Sequence, residues 1–385
     1  MGQQLAVDAA MEFAPSIAAA ADEIEQTQRI PGELVKKLCD AGLFQLYLPK
    51  QLGGRESDPM TAAAAVEAIS RADGSVGWCA MLGAAGSMFT GWLPTEAGRA
   101  LFRTPGHARI AGSARAEGVA KVVEGGYLVT GHWDFASGIS HATFYAGSCQ
   151  LVDDDGPLLT SAATPATRMM LVPVESLRIE ETWNVIGLRG TGSHDVFVED
   201  VFIPTDQALL MAGPSQYESP LYDPRVVKTW IWVANAANSL GIAQGALDAL
   251  TDLASKRAST MSPVLLRDRS SVQETVGKAT AIVRAARTSL LDATATCWDG
   301  AQRDADIAQD EAHLRLAIAH AIHESVRAVD LCFAAAGSNA VYSKNRLERC
   351  FRDIHVAAQH VASAPAQLAA GGRVVLGVEH SMGGW

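Results

Sequence analysis

The most constraining feature of this chain is a glycine-rich turn that leads into a strand. Residues 183–204 read WNVIGLRGTGSHDVFVEDVFIP. A dinucleotide-binding glycine loop must follow a strand and open a helix, so that the helix N-terminus faces the pyrophosphate. Here the residues after Gly192 alternate between apolar and polar as far as Pro204, which is typical of a strand. The pattern argues against an NAD-binding fold. It predicts a tight turn between two strands, whose amides and hydroxyls can still bind another polar ligand.

Composition limits the class of protein. The chain has 385 residues, of which 48% are hydrophobic, so it can bury a large core. Its net charge of −11 argues against nucleic acid or an anionic membrane as the main partner. The six cysteines are scattered without a CxxC pair, and the N-terminus does not resemble a secretory signal. These features predict reduced core thiols and a cytoplasmic location.

One segment resembles a membrane span. Residues 74–94 carry no charge over roughly a spanning length. The segment contains several Gly and Ser residues, however, and has no basic cluster beside it. We therefore expect no membrane association, and we predict a buried helix that lines a pocket.

The chain divides into three compositional zones. Helical apolar spacing dominates an N-terminal helical domain, predicted at residues 1–105. Short β-rich runs follow in a middle β domain, predicted at residues 106–212, with a hairpin around Gly125-Gly126. Long Ala/Leu periodic segments then form a C-terminal helical bundle, predicted at residues 213–385.

Neither a metal site nor a serine triad is predicted. The string His320-x-x-His323-Glu324 has neither of the residue orders of a helical zinc site, so these side chains are interpreted as bundle residues. The adjacent residues Ser193, His194 and Asp195 would point to opposite sides of a strand, which excludes a triad.

Several motifs together resemble a known family. They are Ala72-Asp73-Gly74-Ser75-Val76-Gly77-Trp78, Trp133-Asp134-Phe135-Ala136-Ser137-Gly138, Gly187-Leu188-Arg189-Gly190-Thr191-Gly192-Ser193 and Arg349-Cys350-Phe351-Arg352-Asp353-Ile354-His355. The chain resembles the acyl-CoA dehydrogenase superfamily over nearly its whole length. It is most similar to the reduced-flavin monooxygenase branch, which includes 4-hydroxyphenylacetate hydroxylase and dibenzothiophene monooxygenase. The resemblance implies a mainly α protein with a central β-barrel or sandwich, flanked by an N-terminal helical domain and a C-terminal four-helix bundle.

The sequence itself favours an oxygenase over a dehydrogenase. Removing a proton next to a thioester needs a carboxylate base. By the spacing that the resemblance implies, this base would fall at His360 or Val361, or near Trp230 or Ile231. None of these residues is acidic, and residues 354–370 contain no Asp or Glu. A dehydrogenase or oxidase with resident FAD, and a non-catalytic scaffold of the same fold, remain alternatives.

The catalytic candidates are His360 and Ser137. The resemblance implies a functional histidine at position 360, where an imidazole that titrates near neutrality could accept a substrate proton or hydrogen-bond to the C4a-hydroperoxyflavin. The alternative for His360 is a surface or helix-capping residue. Ser137 would direct its hydroxyl toward the polar edge of the flavin, or would simply stabilise a turn.

The resemblance also implies residues that bind the cofactor and the substrate. The predicted cofactor ligands are Trp133, whose ring would cover the isoalloxazine, together with Ser137, Ser113, Arg189, Thr191, Ser193 and Arg257. For Trp133 the alternative is a core residue, and for the residues of the glycine-rich turn it is a purely structural role. The predicted substrate pocket consists of Trp78, Leu82, Ser87 and Ser113.

Departures from the family pattern refine this prediction. Arg257 is followed by Ala258-Ser259-Thr260-Met261 rather than by the Phe-Gly of the dehydrogenases, which favours an exchangeable reduced FMN or FAD over resident FAD. The histidine that phenol-hydroxylating relatives carry is absent from residues 83–87, which suggests a roomier pocket for an aromatic, polycyclic or heteroatom-bearing substrate. With O2 as co-substrate and no NAD(P)H motif, the chain is expected to depend on a separate NAD(P)H:flavin reductase. The resemblance also implies a homotetramer.

Overall fold

The structure is a computed structural model that describes residues 2–103, 108–211, 213–258 and 263–378. It contains helices at both ends of the chain and a sheet between them. The predicted domain boundaries at 105/106 and 212/213 fall on or beside residues outside the described ranges. They therefore stay predictions.

The N-terminal part is helical, as predicted. Its helices are α1 (Gly2–Thr27), α2 (Gly32–Asp40), α3 (Pro59–Ala72), α4 (Gly74–Phe89) and α5 (Thr95–Leu101). The uncharged segment forms α4, which begins where the Asp73 side chain accepts a hydrogen bond from the Val76 amide at 3.0 Å. None of the helices in the described part of the chain is long and apolar enough to cross a membrane.

Small residues allow α4 to pack closely against the sheet. A Cβ on Gly86 would lie 2.4 Å from the carbonyl oxygen of Ile110, so only glycine permits this approach. The helix is buried over most of its length. The close packing brings the side chains of α4 to the edge of the β domain.

The described residues of the middle part form one mixed sheet of eight strands. These are β1 (Ile110–Val123), β2 (Gly126–Ala136), β3 (Phe144–Asp153), β4 (Gly156–Pro157), β5 (Thr167–Pro173), β6 (Arg178–Glu180), β7 (His194–Pro204) and β8 (Ala208–Leu209). Their order is β6-β7-β2-β1-β3-β5-β8, with β4 paired to β3. Only the β1–β3 pairing is parallel among the described strands. The predicted hairpin is confirmed, because Val123 pairs with Gly126 and Gly125 has a φ of +78°.

The glycine-rich turn opens a strand, as predicted. A short 3₁₀ turn at Arg189–Thr191 precedes β7. Leu188 and Gly192, which flank this turn, both have a φ of +50°. The left-handed conformation at both ends reverses the chain and directs it into the strand.

The C-terminal part is a helical bundle. Its helices are α6 (Val227–Lys256), α7 (Ser270–Gln302), α8 (Ala308–Ala336), α9 (Arg346–Ala357) and α10 (Pro365–Val375). One hydrophobic core extends from the N-terminal helices into this bundle, and a second core lies within the sheet. The glycine-rich turn joins α9, because the Leu188 amide donates to Asp353 Oδ1 at 2.6 Å.

Asp353 is buried near a second buried carboxylate, Asp73. Burial raises the pKa of Asp353 to about 8, and the negative charge of Asp73 adds to this effect. The hydrogen bond from the Leu188 amide opposes it. The contact between the glycine-rich turn and α9 is thus a desolvated polar contact.

Candidate active site

Three parts of the chain meet at the side chain of Trp78. This residue lies on α4, and its indole nitrogen donates to Ser137 Oγ at 3.2 Å. Ser137 directly follows β2. The Trp78 ring also contacts the ring of His360, edge to face, with centroids 5.7 Å apart. A predicted pocket residue therefore joins the two predicted catalytic residues.

Ser137 belongs to a chain of buried hydroxyl groups. Its Oγ lies 2.6 Å from Ser193 Oγ, which lies 2.7 Å from Thr191 Oγ1. Thr191 Oγ1 in turn donates to the carbonyl oxygen of Leu188 at 2.8 Å. All three hydroxyl residues are buried. The structure thus brings together three predicted ligand residues that lie on two separate loops.

His360 caps a short helix. Helix α9 ends at Ala357, so His360 lies in the turn that follows. The His360 Nδ1 atom accepts a hydrogen bond from the Ala362 amide at 3.2 Å. A neutral imidazole that accepts at Nδ1 carries its proton on Nε2. Capping therefore leaves Nε2–H as the donor that His360 can offer to a ligand.

The surroundings of His360 keep it neutral. Burial lowers the pKa of His360 to about 4, because desolvation disfavours the imidazolium. The expectation of titration near neutrality is therefore wrong for this structure. At pH 7 an imidazole with this pKa is neutral.

An aromatic pair, of which only Phe135 is exposed, lies beside Ser137. The Phe135 side chain is 58% exposed and has a φ of +56°, which is uncommon for an aromatic residue. Its ring contacts that of Trp183 at a centroid distance of 5.9 Å. Sequence reasoning missed both residues. The left-handed conformation that turns the Phe135 side chain outward cannot be recognised from residue spacing.

Comparison with known proteins agrees with this architecture. The acyl-CoA dehydrogenase N-terminal domain family matches residues 2–99, and the acyl-CoA dehydrogenase C-terminal domain family matches residues 233–365. The crystal structure of 3-HSA hydroxylase from Rhodococcus sp. RHA1 is similar with a TM-score of 0.87 at 27% identity, covering 99% of this chain and 98% of that one. The chain belongs to the acyl-CoA dehydrogenase superfamily.

Curated relatives within this superfamily are monooxygenases. Indole-3-acetate monooxygenase of Pseudomonas putida is 29% identical over 339 residues, which cover 88% of this chain and 85% of that protein. The oxygenase component of FADH2-dependent resorcinol hydroxylase from Rhizobium sp. (strain MTP-10005) is 27% identical over 360 residues, covering 89% and 86%. The predicted family and fold are confirmed, and this superfamily member is a flavin-dependent monooxygenase.

Trp133 does not take the role predicted for it in this superfamily fold. Its ring is completely buried in the core of the sheet. The indole nitrogen donates to the carbonyl oxygens of Arg115 and Ser148 at 3.2 and 3.3 Å. Glycines on three strands surround the ring, and a Cβ on Gly118 would lie 2.4 Å from it. No ring face is left for a flavin, so the alternative of a core residue is correct.

The two arginines predicted to bind the cofactor differ in their surroundings. Arg189 forms an ion pair with Glu25 at 3.3 Å and donates to the Val185 carbonyl at 3.1 Å. It therefore holds the glycine-rich turn against α1. Arg257 is exposed at the end of α6, far along the polypeptide from Ser137. Residues 259–261 of its motif lie outside the described residues.

The predicted pocket residues on α4 separate into two groups. Leu82 lines a cavity of about 10 Å³ that lies between α4 and the turn after β2. Ser87 is buried and donates to the Ala84 carbonyl at 2.7 Å within its own helix, so its predicted role in the pocket is not supported. Ser113 is half-buried on β1, where its hydroxyl accepts from the Arg115 amide at 3.3 Å. Its predicted role toward flavin or substrate stays a prediction.

A second histidine lies in the wall of that cavity. His141 lines it together with Ser137 and Leu82, opposite the segment of α4 that lacks a histidine. Burial and the nearby Arg109 lower the pKa of His141 to about 4. Sequence reasoning missed this residue. The region therefore contains a histidine supplied by the β domain.

Proposed function

We propose that this chain is the oxygenase component of a two-component monooxygenase that inserts one oxygen atom from O2 into an aromatic or heteroatom-bearing small molecule. The observation that carries the proposal is the contact of Ser137 and His360 through Trp78. The contact places a hydroxyl, a neutral imidazole and an apolar ring at the junction of sheet and bundle. Relatives named for indole-3-acetate and resorcinol support an aromatic substrate.

The residues at this junction fit a reduced flavin. Such a ligand needs a flat apolar surface for its rings and hydrogen-bonding groups at its polar edge. The exposed Phe135 ring offers the flat apolar surface, with the Trp183 ring nearly perpendicular to it, and Ser137 offers the hydrogen-bonding group. When bound, reduced FMN or FAD supplies the electrons that activate O2. A separate flavin reductase supplies the reduced cofactor, and we propose that four copies of the chain assemble as a homotetramer.

The proposed role of His360 is hydrogen-bond donation. Its Nδ1 is used by the Ala362 amide, and its low pKa keeps the ring neutral. The Nε2–H group can therefore orient a phenolic or other oxygen of the substrate. The half-buried Trp78 ring packs edge to face against the imidazole.

The proposal is tested by reoxidation of reduced flavin on the protein. Reduced FMN or FAD is mixed anaerobically with the protein, O2 is admitted, and absorbance is followed by stopped flow. We expect reoxidation in two phases, the second much slower than that of free flavin and accelerated by an accepted aromatic substrate. Reoxidation identical to that of free flavin would exclude the proposed function. A yellow protein with tightly held FAD after purification would favour the resident-FAD oxidase or dehydrogenase.

Two aromatic residues on one strand provide a matched pair of variants. Phe135→Ala removes an exposed ring and is expected to weaken binding of reduced FMN about fivefold, because a stacked aromatic pair is worth about 1 kcal/mol. Trp133→Phe should leave that affinity unchanged while lowering stability by about 2 kcal/mol through lost packing and lost hydrogen bonds. Anaerobic binding titrations and urea unfolding measure the two effects. If Trp133→Phe weakened flavin binding more than Phe135→Ala did, the proposal that Phe135 rather than Trp133 contacts the flavin would be wrong.

A further inference from the structure

The hydroxyl chain beside Ser137 has a fixed direction. Thr191 Oγ1 and the Leu188 carbonyl oxygen are 2.8 Å apart. A carbonyl oxygen can only accept, so the single hydroxyl proton of Thr191 is used in this bond. Ser193 Oγ, at 2.7 Å, must then donate to Thr191. The direction of one hydrogen bond thus determines the direction of the next.

The directions of the Ser137 hydrogen bonds follow in the same way. Because the Ser193 proton points to Thr191, the 2.6 Å contact between Ser137 and Ser193 requires Ser137 to donate. The Trp78 indole nitrogen is a donor only, so it donates to Ser137 at 3.2 Å. A hydroxyl oxygen has one proton and two lone pairs. The proton and one lone pair of Ser137 are thereby used, and at most one lone pair is left for a ligand.

Burial restricts the orientations of these three hydroxyl groups. Ser137, Thr191 and Ser193 are each less than a tenth exposed. With little water to replace a lost partner, turning one hydroxyl would leave a buried donor or acceptor unpaired, which is costly. The two loops that carry the chain are also joined by the backbone, since the Gly138 amide donates to the Thr191 carbonyl at 2.8 Å.

We propose that the Ser137–Ser193–Thr191 chain selects the redox state of the flavin, because it makes Ser137 an obligate hydrogen-bond acceptor. The inference rests on the proposed function. Nitrogen N5 of a flavin carries a hydrogen in the reduced form and presents a lone pair in the oxidised form. A hydrogen-bond acceptor at Ser137 therefore favours the reduced flavin, which can donate from N5. It disfavours the oxidised flavin, whose N5 presents a second acceptor. Ser193 and Thr191 are then positioning residues that act through Ser137 rather than direct ligands.

The test measures binding of both redox forms without turnover. Ser193→Ala removes the acceptor of the Ser137 proton, which becomes free to point to the ligand. We expect affinity for oxidised FMN to rise about tenfold, since an unpaired buried acceptor costs 1–3 kcal/mol. Affinity for dithionite-reduced FMN should stay within about twofold, so the preference for the reduced form falls about tenfold. Anaerobic titrations followed by tryptophan fluorescence give both dissociation constants.

Further variants keep the test independent of folding defects. Thr191→Val removes the group that accepts the Ser193 hydroxyl proton, so this proton can turn toward Ser137. The variant should likewise lower the preference for reduced over oxidised FMN. Thr191→Ser keeps a hydroxyl in place and should restore the wild-type ratio. Ser325→Ala is the matched control, because Ser325 is also buried but donates only to the Ala321 carbonyl in α8.

The outcomes separate this inference from the proposed function. A wild-type protein that binds neither form of FMN or FAD would contradict the proposed function. A wild-type protein that prefers the reduced form, with Ser193→Ala and Thr191→Val showing the same ratio, would overturn only the role of the hydroxyl chain. Equal affinity of the wild-type protein for oxidised and reduced flavin would also overturn the role of the hydroxyl chain.

Discussion

His360→Asn is expected to lower substrate oxygenation by about 100-fold while leaving reduced-flavin binding and the fold unchanged, since removal of one positioned hydrogen-bond donor typically costs about 10²–10³-fold in rate. Asparagine can keep the cap, because its side-chain oxygen can accept from the Ala362 amide as His360 Nδ1 does. It cannot extend a donor to the position of Nε2. Product formed per reduced flavin consumed, together with thermal unfolding, separates the two roles of this histidine.

The matched control for that variant is His355→Asn. His355 lies five residues earlier on α9, where its Nε2 lies 3.0 Å from Asp330 Oδ1. We expect this variant to oxygenate substrate at the wild-type rate. If His360→Asn did the same, His360 would be a capping residue only. Loss of activity in both variants would point to a general disturbance around α9.

The pH dependence of His360 gives a second readout. Its pKa of about 4 lies below the ordinary 6.5, so between these pH values the unfolded chain binds a proton at His360 that the folded chain does not. The free energy of unfolding is therefore unaffected by this residue above pH 6.5 and falls by roughly 3 kcal/mol as the pH drops to 4. The Asn variant should therefore lose less stability than the wild type between pH 6.5 and 4. The same pKa predicts no ionisation of His360 in the rate profile between pH 5 and 8.

Local sequence patterns predicted the scaffold well. The hairpin at Gly125-Gly126 and the strand after Gly192 depend on turn residues and alternation, which act over a few neighbouring residues. The capping alternative for His360 was also open from the sequence, and the structure shows that this residue does cap a turn. In each of these cases the interactions that decide the structure lie close together along the chain.

The orientation of aromatic residues could not be predicted in the same way. Trp133 and Phe135 are two residues apart on β2, so simple alternation places both on one face of the sheet. The positive φ of Phe135 breaks that alternation. Gly118 and Gly147, which make room for the Trp133 ring, come from strands β1 and β3. Only the assembled sheet shows that the Trp133 ring is buried and that the Phe135 ring is exposed.

Gly187→Ala is expected to be the most destabilising single substitution in the glycine-rich turn, with a loss in the free energy of unfolding of about 3 kcal/mol, the upper end of the usual range for overpacking. An added Cβ would lie 2.3 Å from the Arg352 carbonyl oxygen, 2.4 Å from its carbonyl carbon and 2.8 Å from the Asp353 nitrogen. These are backbone atoms, so no rotamer change relieves the overlap, and the turn must separate from α9. Urea unfolding followed by circular dichroism measures the loss.

Gly277→Ala is the matched control, because Gly277 is exposed within α7 and a Cβ there would meet nothing within 4 Å. Alanine should stabilise that helix by roughly 0.5–1 kcal/mol. If Gly187→Ala changed stability by less than 1 kcal/mol, the turn and α9 would be free to shift apart. The expected large loss has a functional consequence, because the neighbouring Leu188 amide binds Asp353 and the Leu188 carbonyl ends the hydroxyl chain that begins at Ser137. Displacement of the turn from α9 should therefore weaken reduced-flavin binding in any fraction of the variant that still folds.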